Sequence, residues 1–213
     1  DKTQQSFINS FLDVVGKLAG GMLATLMIFV LTLVFSLPLG MLLMFIRISK
    51  VSIIRWLAKI YISVMRGTPL MLQLLVVFFG PYYIFGISLS YSYRFYAVII
   101  GFALNYAAYF AEIFRSGIEA IPQGQHEAAS VLGYTKSQTF IRIVFPQMMR
   151  IVLPPVTNEV ITLVKDTSLA FALAYTEMFT MAKQIAAANA SIMPLFVAGV
   201  FYYVFNFVVA WGM

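Results

Sequence analysis

The chain has 213 residues, 62% of them hydrophobic and only 10% charged, against roughly 45–50% and 25% in soluble domains, which excludes a water-soluble globule. Fourteen Lys and Arg outnumber eight Asp and Glu, but the bases sit at the flanks of apolar runs, a membrane-topology pattern that argues against nucleic-acid binding. No cysteine is present, so disulfide and thiol chemistry are excluded.

In chain order, the opening DKTQQSFINSFLDVVGK is acidic and polar, unlike a cleavable leader, and the first helix is expected to serve as its own insertion signal. Leu18 to Ile46 carries no charge and exceeds the roughly 20 residues that a helix needs to cross the hydrocarbon. Arg47, Lys50, Arg55, Lys59 and Arg66 follow without an acid among them, which places this connection in the cytoplasm. Within it, Val51 to Met65 reads as an amphipathic helix at the inner surface. Ser52, Arg55, Lys59 and Arg66 form its basic face opposite Ile54, Trp56, Leu57, Ile60 and Ile62, a pattern that suits anchoring to anionic membrane lipid. RGTPL then redirects the chain into the second span, Gly67 to Tyr93, where Gln73 is an amide in need of a partner.

The third span starts at Phe95 and is free of charge to Ala111. Asn105, Tyr109, Glu112 and Ser116 share one face of this helix, and Ala103, Ala107 and Ala111 form a small-residue stripe suited to close helix packing. Glu112, Arg115 and Glu119 are expected to pair internally or to orient the segment that follows. That segment, about 122–147, mixes polar and apolar residues with helix punctuation. Pro122 and Gly124 are expected to end the third span, and QHEAASVL makes two turns with Glu127 in the first, where the dipole favours an acid. Gly133 stops this helix at a left-handed position. Thr135 and Gln138 have capping-box spacing for a second helix, KSQTFIRIVF, expected to end before Pro146. Two short helices around a tight glycine bend make a water-facing docking bracket. Arg115, Lys136, Arg142 and Arg150 place it in the cytoplasm.

Ile151 to Tyr175 is a fourth apolar stretch that holds Glu159, Lys165 and Asp166. Pro154 and Pro155 are expected to break it, with the helix restarting at Pro155. On the restarted helix Asn158, Thr162 and Asp166 recur at intervals of four, with Glu159 alongside. An acid inside the membrane costs about 2.5–3.5 kcal/mol on insertion scales, which makes Glu159 and Asp166 pathway candidates; the other reading of Asp166 is a solvated group at the outer headgroups. Gln184 to Met213 supplies the fifth span. Continuous runs, not period-two alternation, make the chain all-α, a polytopic membrane protein of about five transmembrane helices with its N-terminus outside and C-terminus cytoplasmic.

No nucleophile, base and orienting acid come together, and the lone His126 has no second His or Cys beside it, so neither covalent catalysis nor a metal site is expected. GYTKS, residues 133–137, lacks the adjacent Gly-Lys and the earlier glycine of a phosphate-cradling loop. Any ATP-driven work therefore needs a partner, and five helices are few to enclose an alternating-access path without a twofold mate.

Glu127, Ala128, Ala129, Gly133, Ile143 and Pro146 stand at the spacing of the EAA loop, and on these residues the chain resembles the membrane subunits of bacterial ABC importers. Phe145 stands where that pattern has Leu. RGTPLMLQL, NYAAYFAEIFRSGI, PQGQHEAASVLG and KDTSL are similar, in the same order, to permeases for polar amino acids, the histidine, glutamate, glutamine, arginine and opine uptake group. The resemblance implies one transmembrane permease domain over residues 1–213, whose loop at about 122–147 docks into a groove on an ATPase through Glu127, Ala128, Ala129, Gly133 and Pro146. It further implies two ATPase subunits that hold ATP and Mg, a second permease copy or paralogue, an extracellular or periplasmic amino-acid-binding protein, an amino-acid substrate and the bacterial inner membrane. An acid directly after Asn158 is similar to the pattern of permeases for basic amino acids. Outside the resemblance, a small channel or membrane anchor with a non-ATPase partner is the alternative.

Overall fold

The computed structural model describes residues 2–213, with side chains from Gln4 onward; Asp1, the acid that opens the chain, lies outside the described residues. The described residues contain helices and no strand. In order these are α1 Lys2–Arg47, α2 Ser52–Gly67, α3 Leu70–Phe85, α4 Tyr93–Glu119, α5 Gln123–Val131, α6 Lys136–Thr139, a π turn Phe140–Val144, α7 Phe145–Asp166, a 3₁₀ segment Thr167–Leu173, α8 Met178–Asn189 and α9 Met193–Gly212. Three helices are long and apolar enough to cross a bilayer, Gln4–Arg47, Tyr93–Glu119 and Met193–Gly212, and the pair α2 and α3 passes the same test together across a 113° bend. That bend falls on Thr68 and Pro69, where RGTPL was expected to turn the chain. α7 is not among these spans; it carries Arg150, Glu159, Lys165, Asp166 and three prolines.

Four expectations are corrected. The second charge-free run is helical only over Leu70–Phe85, because Gly86 ends it in the left-handed region at φ 66° and small polar residues follow. α7 runs unbroken through Pro154 and Pro155. Proline's fixed φ is itself helical, and the lost bonds are tolerated in a long apolar helix, so neither residue breaks or restarts it. The last run is interrupted: α8 closes with Ala190 at φ 46°, and α9 begins afresh with Pro194 in its first turn, where a missing N–H costs nothing. On α2, Ile62 does not join the exposed Ile54, Trp56, Leu57 and Ile60; it is buried against Ala108 and Ala111.

By its contacts the chain forms two compact units. One takes the stretch up to Val34, Pro69–Phe102 and Val160–Met213. Its core packs Val14 and Leu18 of α1 on Met178 and Ala182 of α8 and Val197 and Ala198 of α9. Phe29 meets Phe205 edge-on at 5.1 Å, and the Tyr93 hydroxyl donates to the Val77 carbonyl at 2.9 Å. The other unit takes Phe35–Thr68 and Ala103–Glu159. Here the small-residue stripe does what its spacing predicted: Ala103, Ala107 and Ala111 are buried, and a Cβ on Gly40 of α1 would lie 2.8 Å from Phe110 Cβ and 3.1 Å from the Ala107 carbonyl oxygen. α2 is tied to the same helix, because the Tyr61 hydroxyl donates to the Leu104 carbonyl at 2.7 Å and Asn105 Nδ2 to the Met65 carbonyl at 3.1 Å.

Candidate functional site

The bracket after α4 has a defined geometry. Pro122, not Gly124, marks its start: Pro122 is the N-cap of α5 and Gly124 lies inside that helix. Glu127 therefore falls beyond the first turn, contrary to expectation, and accepts a hydrogen bond from Gln123 Nε2 at 3.0 Å. Gly133 turns the chain at φ 77°, the left-handed conformation that its spacing predicted and that a side chain with Cβ resists. Thr135 and Gln138 close a full capping box: Thr135 Oγ1 accepts from the Gln138 N–H at 3.3 Å, and Gln138 Oε1 accepts from the Thr135 N–H at 2.9 Å.

The second helix of the bracket does not end before Pro146. Four residues of α6 widen into the π turn, in which the Phe145 N–H reaches back to the Phe140 carbonyl, and the chain continues into α7 with Pro146 inside. A wide turn is a register adjustment, and it occurs directly before a residue that has no N–H to give. Gln147 fastens the junction, since its Nε2 donates to the Ile143 carbonyl at 2.9 Å and to Gln125 Oε1 of α5 at 3.3 Å. Ala129 is buried within the bracket, Ala128 is exposed, and at the tip Val131 and Leu132 are 88% and 72% exposed, with Ile141 at 64%.

At the end of α4 the expected ion pair is present and is part of a longer chain of charge. Arg115 Nη2 lies 2.8 Å from Glu112 Oε2 and its Nη1 lies 2.6 Å from Glu119 Oε1, while Arg47 Nε of α1 lies 3.7 Å from Glu112 Oε1. Arg66, in RGTPL, sits over the Tyr109 ring at 5.4 Å. The acids of α4 thus face Arg47 and Arg115.

Of the residues proposed for a substrate path, Asn158, Glu159, Thr162 and Asp166 lie along α7 and Gln73 lies on α3. Asn158 and Glu159 belong to the unit that holds the bracket; Thr162, Asp166 and Gln73 belong to the other. Asn158 and Thr162 are exposed, and Glu159, Asp166 and Gln73 are half-buried. The first half of α7 turns Phe145, Met149, Ile151 and Leu153 outward, as lipid would select, whereas from Pro154 onward the exposed positions are Pro154, Pro155, Asn158, Thr162 and Lys165.

Sequence reasoning missed Glu177. It is fully buried and caps α8, accepting from the N–H groups of Phe179 and Thr180 at 2.7 Å each, from Thr180 Oγ1 at 2.9 Å and from the Tyr202 hydroxyl at 2.9 Å. Burial pushes its carboxyl above the ordinary range and these hydrogen bonds oppose that rise. The Met178 N–H donates to Thr25 Oγ1 at 3.3 Å, so the start of α8 is tied to both α1 and α9. The one signal in the sequence is an acid three residues before a threonine at a helix start.

Residues 36–213 match the family model described as the binding-protein-dependent transport system inner membrane component. The L-cystine transport system permease protein TcyB of Bacillus subtilis is 36% identical over 187 residues, 87% of this chain and 78% of that protein. The arginine transport system permease protein ArtQ of the same organism is 37% identical over 185 residues, 86% and 83% of the two chains. Among solved structures, an amino acid ABC transporter crystallised with histidines superposes with a TM-score of 0.85 at 28% identity, covering 94% of this chain and 92% of that one. The chain belongs to the family of binding-protein-dependent transport system inner membrane components: it is an integral inner-membrane permease subunit, not the ATPase of such a system.

Proposed function

We propose that this chain is the permease of an importer for polar amino acids, acting as one transmembrane domain that crosses the membrane five times with its N-terminus outside and its C-terminus in the cytoplasm. The bracket at about 122–147 is its coupling loop. It docks on an ATPase through Glu127, Ala128, Ala129, Gly133 and Pro146, with the exposed Val131 and Leu132 entering the partner's groove. ATP and Mg are held by two such ATPases, a second permease copy or paralogue closes the path, and a periplasmic or extracellular binding protein delivers the substrate. The observation that carries this reading is the bracket itself: a left-handed glycine, a full capping box and the Gln147–Gln125 link brace an apolar tip that no other part of its unit covers.

For the substrate, the exposed polar face of α7 supports a path lined by Asn158, Glu159, Thr162 and Asp166, with Gln73 on α3. The matching relatives are named for arginine and for cystine, and Glu159 would favour a cationic side chain by charge-assisted hydrogen bonding and repel an acidic one. The deciding experiment is co-expression with the neighbouring ATPase. Wild-type permease should retain that ATPase through purification and Leu132→Asp should lose it, because an aspartate would have to be desolvated in an apolar groove. A permease that retains no ATPase, or retains it equally with Leu132→Asp, would remove the bracket tip as the docking surface.

A further inference from the structure

The connection from α1 into α2 holds a groove of about 570 Å³ lined by Arg47, Ser52, Ile53, Arg55, Trp56 and Lys59. Three cations line it and no acid does. Arg55 is braced at the rim, with Nη1 donating to the Ser49 carbonyl at 2.9 Å and Nη2 to Ser52 Oγ at 3.4 Å. Arg47 is the deepest of the three; its Nε is buried with no hydrogen-bond partner among the described residues, and Glu112 beside it is 3.7 Å away and shared with Arg115. Next to the cations stand Ile53 and Trp56, 71% and 60% exposed. Cations that converge beside an apolar ledge on an amphipathic helix match the two halves of a phospholipid, an anionic headgroup and an acyl chain.

We propose that this groove is a discrete site for one anionic phospholipid. Arg47, Arg55 and Lys59 bind the headgroup phosphate, and the first acyl carbons lie along Ile53 and Trp56. General surface attraction needs only net charge, whereas this site places one of its cations on the Glu112–Arg115–Glu119 ladder of α4, which leads directly to the bracket. The bound phosphate thereby bears on the helix that carries the coupling loop. The inference rests on the reading of this connection as the cytoplasmic side of an inner-membrane permease.

The test is native mass spectrometry of the permease–ATPase complex released from phosphatidylcholine vesicles that contain phosphatidylglycerol. Wild type should retain phosphatidylglycerol. Arg55→Gln with Lys59→Gln should reduce that retention about thirtyfold, at about five- to sixfold for each basic group removed. Lys50→Gln with Arg150→Gln removes equal charge outside both the groove lining and the bracket and should leave it unchanged. Equal retention by wild type and the groove variant overturns the site. Equal loss in the two double variants also overturns it, because attraction is then diffuse, as does full displacement by soluble glycerophosphate, because the apolar ledge then contributes nothing. ATPase retention in the same spectra reads the permease assignment separately; its absence from wild type would sink that assignment while the lipid comparison still stands on its own.

Discussion

Two acids of this chain sit in contrasting surroundings. Glu177 spends every contact within its own unit, on two backbone N–H groups and two hydroxyls at the junction of α8 with α1 and α9. Glu177→Ala leaves those donors facing a dry pocket, so thermal unfolding in detergent should show a loss of about 3 kcal/mol or more; an unchanged midpoint would mean that water replaces the carboxylate. Glu159 is half-buried on the polar face of α7 and is assigned to substrate. Glu159→Gln keeps its shape and removes its charge. Uptake of a cationic amino acid should fall at least about tenfold, the equivalent of roughly 1.4 kcal/mol, with neutral substrates less affected. Equal loss for both classes would make Glu159 structural. Glu159 is conspicuous in the sequence as an acid in an apolar run, whereas Glu177 is not, because the Tyr202 hydroxyl that it accepts from lies 25 residues away and is brought to it only by folding.

At the level of elements, local rules that depend on neighbours in sequence were legible and those that depend on the environment were not. Gly133, the Thr135–Gln138 box, the α2 amphipath and the alanine stripe are short-range patterns, and each is present. Prolines misled at both sites in the same direction, because proline's cost depends on whether the flanking helix can absorb the lost bonds: Pro154 and Pro155 pass inside α7, and Pro146 is accommodated by the π turn. The glycine bend gives a sharp test. Valine at φ 77° is a steric outlier costing about 1–3 kcal/mol, while asparagine tolerates that region. Substrate-stimulated ATP hydrolysis should collapse in Gly133→Val and survive in Gly133→Asn. Equal activity in the two would separate the bend from coupling. Gly40→Ala tests the contact of α1 with α4, since the new methyl meets a backbone carbonyl that cannot rotate away; a destabilisation of about 1–3 kcal/mol is expected in thermal unfolding, and a neutral result would show that the two helices separate readily.

For the whole molecule, the proposed direction of insertion rests on the distribution of charge. Arg47, Lys50, Arg55, Lys59, Arg66, Arg115, Lys136, Arg142 and Arg150 all fall in the two connections assigned to the cytoplasm. In this cysteine-free chain, a cysteine at the exposed Ser137 should be shielded from an impermeant label applied outside, and one at the exposed Ser90 should react; labelling in the reverse sense would overturn the orientation. The central claim is that the chain moves amino acids only when a separate ATPase drives it through the bracket. Uptake of labelled arginine into proteoliposomes holding the permease, its ATPase and the binding protein measures this directly. Accumulation should require ATP and the ATPase together and be abolished by Gly133→Val; flux that persists without ATP, or that the permease supports alone, would show that the bracket does not energise transport.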